Sequence, residues 1–260
     1  MNPDVKYWDQ TARQWETDPA NRLWRRHSDA VNARLLSGWL AGCHAKCLLK
    51  TDLFDEAFGD GLFGMLGTRA ENLVGMDVSP QVLLAARRHF PQVVHVAADV
   101  RTLPFADGSF DRIVSLSTVD HFLSHDEIVA SVREMARVLR AGGELLITLD
   151  NPGNPMVWLR NVVLFPWLHR VGIVPYFVGK TCGQRRLRRI VESAGLRVLD
   201  AQSVLHCPRV LAVAIARRLW RADERTQARF LGCMMKFESL GRWPWRFVSG
   251  HFVALRAVKA

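Results

Sequence analysis

Short apolar runs alternate with longer amphipathic stretches through the first 150 residues of the chain. The apolar runs predict strands, and apolar residues recurring every three to four positions predict helices. The predicted strands are 47–54, 73–76, 93–97, 112–116 and 144–149. The predicted helices are 28–41, which opens with Ser28, a short helix start over 61–66, 80–89 and 126–140. The last of these helices meets a stop signal at Ala141-Gly142-Gly143.

The remainder of the chain has a different texture. A Pro- and Gly-rich loop over 151–155 is followed by an aromatic and basic stretch that runs to Lys180. The pattern then predicts helices over 183–194 and 208–240 and strands over 196–205 and 252–258. Alternating strands and helices predict an α/β fold with helices on both faces of the sheet. A terminal strand that completes this sheet favours one domain with a basic insertion over two independent domains.

Polar residues follow the predicted strands, where parallel sheets bind their ligands. An acidic, glycine-containing loop covers 52–61, and Asp77 ends the next strand about 20 residues later, where an acid can accept hydrogen bonds from a ribose diol. Asp99 and Val100 follow the third strand, where a carboxylate and a backbone N–H can meet an adenine edge. Residues 110–118 form a strand that opens onto Val119-Asp120-His121-Phe122. Together these strand ends indicate a nucleoside site.

Three segments then resemble the class I S-adenosylmethionine-dependent methyltransferases: GMDVSPQVLLAARRHFP, AADVRTLPFADGSFDRIVSLSTVDHF and REMARVLRAGGELLIT. The resemblance covers roughly residues 44–150 and an expected closing strand near the C-terminus. It implies a doubly wound, Rossmann-like sheet of seven strands, mostly parallel with the last strand antiparallel, and S-adenosyl-L-methionine as the cofactor.

The resemblance also implies roles for residues at the strand ends. Asp77 with Val78 would hold the ribose, Asp99 and Val100 the adenine, and the loop 52–61 the methionine moiety. Ser117, at the end of the fourth strand, completes the expected cofactor-binding set. No metal is expected in the site.

The first loop departs from the family pattern, which usually has an acid followed by three alternating glycines. Only Gly59 and Gly61 remain here. Asp55 stands 22 residues before Asp77, which suits the family's spacing, whereas counting from the start of the strand favours Thr51 or Asp52. Both registers stay open at this point. A nicotinamide dehydrogenase is disfavoured because G-x-G-x-x-G is absent.

Candidate catalytic groups are few. His121 follows the fourth strand, where the family places residues that face the transferred methyl group, and histidine is the usual general base near neutral pH. Asp120 beside it and His27 in the aromatic N-terminal segment are further candidates. Each has a structural alternative: a loop hydrogen bond for His121, a turn acid for Asp120, and packing on the sheet for the N-terminal aromatics, which otherwise form a lid over the cofactor.

Charge is distributed unevenly along the chain. The net charge of +10 arises because residues 151–260 contain 19 Lys and Arg against 5 Asp and Glu, whereas residues 1–150 contain 16 against 20. Aromatic residues interleave with cations over 156–189. A basic face of this kind is often no more than a solvated surface, but it also suits an apolar or anionic small molecule, a membrane surface in peripheral contact with 156–189, or, less favoured, nucleic acid.

These patterns combine into one functional hypothesis. We expect an N-terminal helical lid (1–43), a cofactor-binding core (44–150), a basic, aromatic acceptor-side region (151–240) and a closing strand (241–260). The expected activity is methyl transfer from S-adenosylmethionine to a small organic acceptor of apolar and anionic character. The alternatives are an RNA methyltransferase and a catalytically silent scaffold protein. The thiols and the lack of a visible signal peptide lead us to expect a cytoplasmic protein, in peripheral contact with the membrane if 156–189 binds there.

Overall fold

A seven-stranded sheet dominates the computed structural model, which describes residues 3–17, 19–42, 44–161 and 179–260. The strands are β1 (Ala45–Lys50), β2 (Ala70–Asp77), β3 (Val94–Ala97), β4 (Phe110–Leu116), β5 (Leu139–Asp150), β6 (Leu196–Val204) and β7 (Phe252–Lys259). Their order in the sheet is β3-β2-β1-β4-β5-β7-β6. β7 runs antiparallel to β5 and β6, and the pairs β1–β2, β2–β3 and β4–β5 are parallel. The predicted fold class is confirmed.

Helices connect the strands. They are α1 (Pro3–Thr17), α2 (Arg22–Trp39), α3 (Phe54–Phe58), α4 (Phe63–Leu66), α5 (Pro80–His89), α6 (His125–Val138), α7 (Pro155–Leu159), α8 (Gln184–Ser193), α9 (Arg209–Leu219), α10 (Glu224–Lys236) and α11 (Arg246–Ser249). Single 3₁₀ turns cover Pro19–Asn21 and Val119–His121, and a longer one covers Phe237–Arg242. No helix of the described residues is long and apolar enough to span a bilayer.

Local sequence signals explain several helix boundaries. α5 spans the predicted residues because Pro80 occupies its first turn and the Ser79 hydroxyl accepts a hydrogen bond from the Val82 N–H at 3.2 Å. α6 begins with a capping box, in which Ser124 and Glu127 each accept from the other's backbone N–H. These caps satisfy amide groups that the first helical turn leaves unpaired.

Other predicted boundaries are wrong. β1 ends at Lys50 rather than at residue 54, because residues 54–58 form α3. Gly142 and Gly143 lie inside β5 instead of in a loop after α6, and Gly142 adopts a φ of +72° there. The helix predicted over 208–240 is broken between α9 and α10. Ser28 is in the interior of α2, which begins at Arg22.

The first of two compact units contains residues Met1–Asp99 and Cys207–Ser239. It includes β1 to β3 and the helices α1 to α5, α9 and α10. Its core is aliphatic: Leu36, Leu48 and Leu49 are fully buried, and Met76 is 1% exposed. α2 packs against α9 and α10. This unit carries the acids that follow the first three strands.

The second unit contains residues Val100–His206 and Leu240–Ala260, and therefore β4 to β7, α6 to α8 and α11. Ile113, Leu146 and Leu255 are fully buried in its core. The chain's last strand, β7, is paired on both edges, since it lies between β5 and β6. The proposed boundaries at residues 43, 150 and 240 stay predictions.

Candidate cofactor and acceptor sites

A buried ion pair occupies the loop after β1. The Lys50 ammonium lies 2.6 Å from Glu56 Oε2 and 2.5 Å from the Asp52 carbonyl oxygen, and both side chains of the pair are almost fully buried. Glu56 Oε1 accepts from the Leu62 N–H at 2.9 Å. Burial alone would lower the pKa of Lys50, but the charges of Glu56 and Asp52 outweigh it and raise that pKa. Burial raises the pKa of Glu56, and the charge of Lys50 opposes this rise. The pair holds the loop through its bonds to the Asp52 carbonyl oxygen and the Leu62 N–H.

Asp52 and Asp77 come together at the ends of β1 and β2. Lys50 pairs with Gly75 in the sheet, so each acid stands two residues beyond this rung. Asp77 Oδ2 accepts from the Leu53 N–H at 3.1 Å, and Asp52 Oδ1 accepts from the Phe54 N–H at 2.7 Å. These bonds fix both carboxylates at the edge where parallel sheets bind ligands.

Burial and neighbouring charges raise the pKa values of both carboxylates. Burial, and then the charge of Asp52, raise the pKa of Asp77 to about 7, against the lowering effect of the Ser79 and Leu53 amides. Burial also raises the pKa of Asp52, and nearby Asp55 adds to this. Carboxylates that repel each other in this way attract a cation or a hydrogen-bond donor. The edge is thus suited to a ligand that carries an ammonium group and hydroxyls.

Asp52 and Asp55 occupy different positions after β1. Asp52 stands two residues beyond the end of β1, after buried Thr51, whereas Asp55 is the second residue of α3 and forms an ion pair with Arg25. Asp55 therefore does not stand at the strand end.

Gly59 and Gly61 are required by the protein's own side chains. A Cβ at Gly59 would lie 2.8 Å from Asp29 Oδ2. Gly61 has a φ of +65° and donates its N–H to Asp29 Oδ2 at 3.2 Å. Glycine at these positions thus serves the packing of Asp29 and Glu56, whatever it contributes to a ligand.

The third strand end carries Asp99, which is partly exposed two residues after β3. The Ala98 N–H donates to the Asp77 carbonyl oxygen at 3.1 Å, so the segment leaving β3 stays beside the end of β2. Val78, next to Asp77, is also partly exposed. Val100 begins the second unit and is 5% exposed.

In the second unit, the Asp120 carboxylate lies next to the His121 ring. Asp120 is 2% exposed, and its Oδ2 accepts from the Ser117 hydroxyl at 2.8 Å and the Asp150 N–H at 3.0 Å. Its Oδ1 has no hydrogen-bond partner among the residues that the structure describes, and it lies 3.6 Å from His121 Nε2. Burial and the charge of Asp150 raise the pKa of Asp120, against the lowering effect of His121. Ser117 has a φ of 54°, a strained conformation for a residue other than glycine. The Asp120 carboxylate, held in this position, can orient the His121 imidazole and stabilise its protonated form.

His27 has a different environment. It is fully buried in α2, its Nε2 lies 3.4 Å from the Cys207 sulfur, and burial lowers its pKa to about 4. Burial also raises the pKa of the Cys207 thiol to about 12. The surroundings of His27 are those of a core residue, and a catalytic role for it stays a prediction without structural support.

The N-terminal helix contacts the loop that carries Asp52. Trp8 and Trp15 of α1 meet Phe54 edge-on, with ring centroids 6.1 and 5.2 Å away. Asp9 Oδ1 accepts from the Ser79 hydroxyl at 2.5 Å and the Gln81 N–H at 3.2 Å, at the start of α5. α1 therefore packs beside the ends of β1 and β2, as a lid would.

Sequence reasoning missed Lys50, Glu56 and Asp29. A lysine directly after the apolar run Cys47–Leu49, six residues before a glutamate, is the local signal for the ion pair. Nothing in the sequence shows that Asp29 would reach the loop. The aromatic stretch at 162–178 lies outside the described residues, and so does Cys43.

Comparison with known proteins agrees with this geometry. Residues 57–147 match a family model described as "Methyltransferase domain", and the match includes Asp77, Asp99 and Asp120. Over these residues the chain matches methyltransferase domains of the class I S-adenosylmethionine-dependent type. The relatives of this domain act on different classes of acceptor, as their names show.

Two curated relatives and one solved structure illustrate how the acceptors named for these proteins differ. A demethylmenaquinone methyltransferase of Beutenbergia cavernae is 34% identical over 129 residues, which cover 49% of this chain and 47% of the relative. A mouse protein named as a probable tRNA methyltransferase is 32% identical over 93 residues, 36% of this chain and 20% of that protein. The chain thus spans less than half the length of either relative.

The solved structure shares the fold. Geranyl diphosphate C-methyltransferase from Streptomyces coelicolor, crystallised with Mg²⁺, geranyl diphosphate and S-adenosyl-L-homocysteine, superimposes with a TM-score of 0.58 at 13% identity. The alignment covers 89% of this chain and 77% of that one.

The methyltransferase domain's residues fit its family's cofactor. S-adenosylmethionine carries an ammonium, a sulfonium and a ribose diol, and the mutually repelling Asp52 and Asp77 offer acceptors for such groups.

Proposed function

We propose that this chain is an S-adenosylmethionine-dependent methyltransferase whose acceptor is a small organic molecule with an apolar body and an acidic group. The observation that supports the cofactor most directly is the pair of carboxylates, Asp52 and Asp77, at adjacent strand ends. When bound, the cofactor supplies an electrophilic methyl group on a sulfonium. The protein's task is then to hold the acceptor in line with it.

The cofactor-binding roles follow the strand ends. Asp77, with its neighbour Val78, would accept hydrogen bonds from the ribose hydroxyls. Asp52 and the Thr51 segment would hold the amino acid end, and Asp99 with the Val100 N–H would hold the adenine. Ser117 would complete the set. α1 would exclude water from the ends of β1 and β2, because Asp9 and Trp8 already attach it there.

His121 is proposed as the general base. Its Nε2 faces Asp120 Oδ1 at 3.6 Å, and the opposite oxygen of Asp120 is held by Ser117 and Asp150. Asp120 would orient the ring, and its negative charge would stabilise the imidazolium that forms when His121 takes a proton from the acceptor. Asp120 acts through His121 and is a positioning residue.

The acceptor class is inferred from the residues that follow β5. Trp158 is half-exposed, and exposed Arg185 and Arg186 open α8. Aromatic surface flanked by cations suits an apolar molecule that carries an anionic group.

A calorimetric titration with S-adenosylhomocysteine tests the cofactor site. We expect micromolar binding by the wild type and loss of at least tenfold in affinity for Asp77→Ala. Asp60→Ala is the matched control, since Asp60 lies in the loop after α3 with a side chain 72% exposed. Absence of heat for the wild type, with S-adenosylmethionine equally silent, would favour the scaffold alternative.

An RNA acceptor is the second candidate, supported by the net charge of +14 in residues 151–260. It predicts RNA binding whose affinity falls steeply with salt, because each phosphate contact releases counterions. Binding of a single-stranded RNA probe that persists at 150 mM salt, together with methyl transfer to RNA, would replace the small-molecule proposal.

A further inference from the structure

The second unit exposes an unusual set of large apolar side chains. Trp158 is 50% exposed, Trp243 59% and Trp245 70%, and Met156 and Val248 are 62% and 47% exposed. We call these five residues the tryptophan platform. Isolated apolar residues are normal on a protein surface, but several large ones in neighbouring segments mark a site of interaction.

Two asparagines hold the segments of the platform together. Asn151 Nδ2 donates to the carbonyl oxygens of Phe247 and Gly250 at 2.8 and 2.9 Å, and Asn154 Nδ2 donates to that of Ser249 at 2.9 Å. Asn154 also caps α7 by accepting from the Met156 N–H. The start of α7 is therefore bonded to the backbone of α11.

Backbone turns order the 243–248 segment itself. The Val248 N–H donates to the Trp245 carbonyl oxygen at 2.8 Å, which places these two side chains one turn apart on the same side. The Arg246 N–H donates to the Trp243 carbonyl oxygen at 3.1 Å. The exposed rings thus project from a formed turn.

The charge around the platform has one sign. Residues 155–161 and 242–248 contain no Asp or Glu, and Arg242 and Arg246 flank the two tryptophans of the second segment. Arg242 is exposed, and the Arg246 guanidinium lies 5.1 Å from the centre of the Phe247 ring. Tryptophan and arginine together favour the boundary between acyl chains and anionic headgroups, since each combines an apolar body with a polar end.

We infer that the tryptophan platform docks this protein on a membrane surface that contains anionic phospholipid. Met156 and Val248 suit hydrocarbon rather than stacked bases, and the arginines complement headgroup phosphates. This inference extends the proposed function by placing the enzyme where apolar acceptors concentrate. It differs from a contact through all of 156–189, because it includes 243–248 and uses only described residues.

Vesicle co-sedimentation of the full chain tests the inference without cofactor or acceptor. We expect the partition coefficient to be higher for vesicles of phosphatidylcholine with 25% phosphatidylglycerol than for phosphatidylcholine alone. Trp243→Ala/Trp245→Ala should lower it at least tenfold, because two rings no longer enter the interface. Arg242→Gln should lower it by about fivefold on the anionic vesicles only.

Controls separate docking from folding and from catalysis. Val210→Ala/Leu211→Ala removes two exposed apolar side chains from α9 and should partition as the wild type does. Circular dichroism should give the same melting temperature for all variants, and S-adenosylhomocysteine binding should be unchanged, so failure of the enzyme proposal leaves this test intact.

Three results would overturn the inference. The first is a partition coefficient of Trp243→Ala/Trp245→Ala that equals the wild-type value. The second is no binding to either vesicle while sedimentation velocity shows a dimer that this variant dissolves, which would assign the platform to a second copy of the chain. The third is no vesicle binding together with RNA binding that the variant loses.

Discussion

At the scale of single residues, the loop after β1 depends on a buried ion pair. Lys50 and Glu56 are 1% and 0% exposed, and each is the other's charged partner. Removal of one member of such a pair leaves the other charged and buried, which costs far more than the loss of a surface pair. Asp52 follows the same strand and its carbonyl oxygen accepts from Lys50, so the pair is bonded directly to the candidate cofactor site.

Lys50→Met should destabilise the protein by about 3–5 kcal/mol. Lys46→Met is the matched control, because Lys46 is an exposed residue of the same strand, and it should change stability by less than about 0.5 kcal/mol. Urea unfolding followed by circular dichroism measures both. Equal effects of the two substitutions would show that the buried pair contributes nothing specific.

Cofactor affinity should rise with pH between 6 and 8. The pKa of Asp77 is raised to about 7 by burial and by Asp52, so the carboxylate that accepts from a ribose diol forms only as pH rises through this range. Titrations with S-adenosylhomocysteine at several pH values measure the effect. Asp77→Asn should bind S-adenosylhomocysteine weakly, with an affinity that does not change with pH. Asp60→Asn should keep the pH dependence of the wild type.

His121→Gln should lower the turnover number by about 10²–10⁴-fold once an acceptor is found, because proton removal is lost. Affinity for S-adenosylhomocysteine should stay unchanged. Asp120→Asn should reduce turnover less and shift the pH profile of kcat, since His121 keeps its ring but loses the facing charge. An unchanged pH profile in Asp120→Asn would contradict its orienting role.

At the scale of elements, a serine marks the start of a helix where its hydroxyl caps the first turn, as Ser79 and Ser124 do. Ser124 begins α6 because its hydroxyl accepts from the Glu127 N–H and Glu127 returns the bond. Ser28 has the same chemistry but lies inside α2, since residues 22–27 already bury Leu23, Trp24 and His27. Burial of a longer apolar face thus extended that helix past its expected first residue.

Ser124→Ala should therefore destabilise the protein by about 1 kcal/mol, through loss of the cap on α6. Ser28→Ala should have no such cost, because alanine is favoured in a helix interior. Thermal unfolding of both variants checks this pair. A smaller effect at Ser124 than at Ser28 would mean that the capping box does not form.

At the scale of the whole molecule, stability should fall as pH rises from about 4 to 8, between the unfolded and the folded pKa values of two buried carboxyls. Burial and then Asp55 raise the pKa of Asp29 to about 8, and the pKa of Asp77 is about 7. A carboxyl whose pKa is raised on folding contributes stability below its unfolded pKa, and this is lost as pH rises through the folded value.

Chemical denaturation across this pH range measures the decline, and Asp29→Asn should flatten it. Asp60→Asn is the exposed control and should leave the slope as it is in the wild type. A saturating ligand with an ammonium group should also reduce the decline, because it stabilises the ionised form of Asp77.

The sequence by itself determined the α/β class, the order of strands and helices, and the acids at the strand ends, because these follow from local periodicity and short motifs. Only the tertiary structure decided that Asp52 lies beside Asp77, since this depends on the pairing of Lys50 with Gly75. It likewise placed His27 beside Cys207 and bonded Asp120 to the Asp150 N–H. Such contacts join residues through packing and through strand ends that meet in the sheet, and neither is visible in the spacing along the chain.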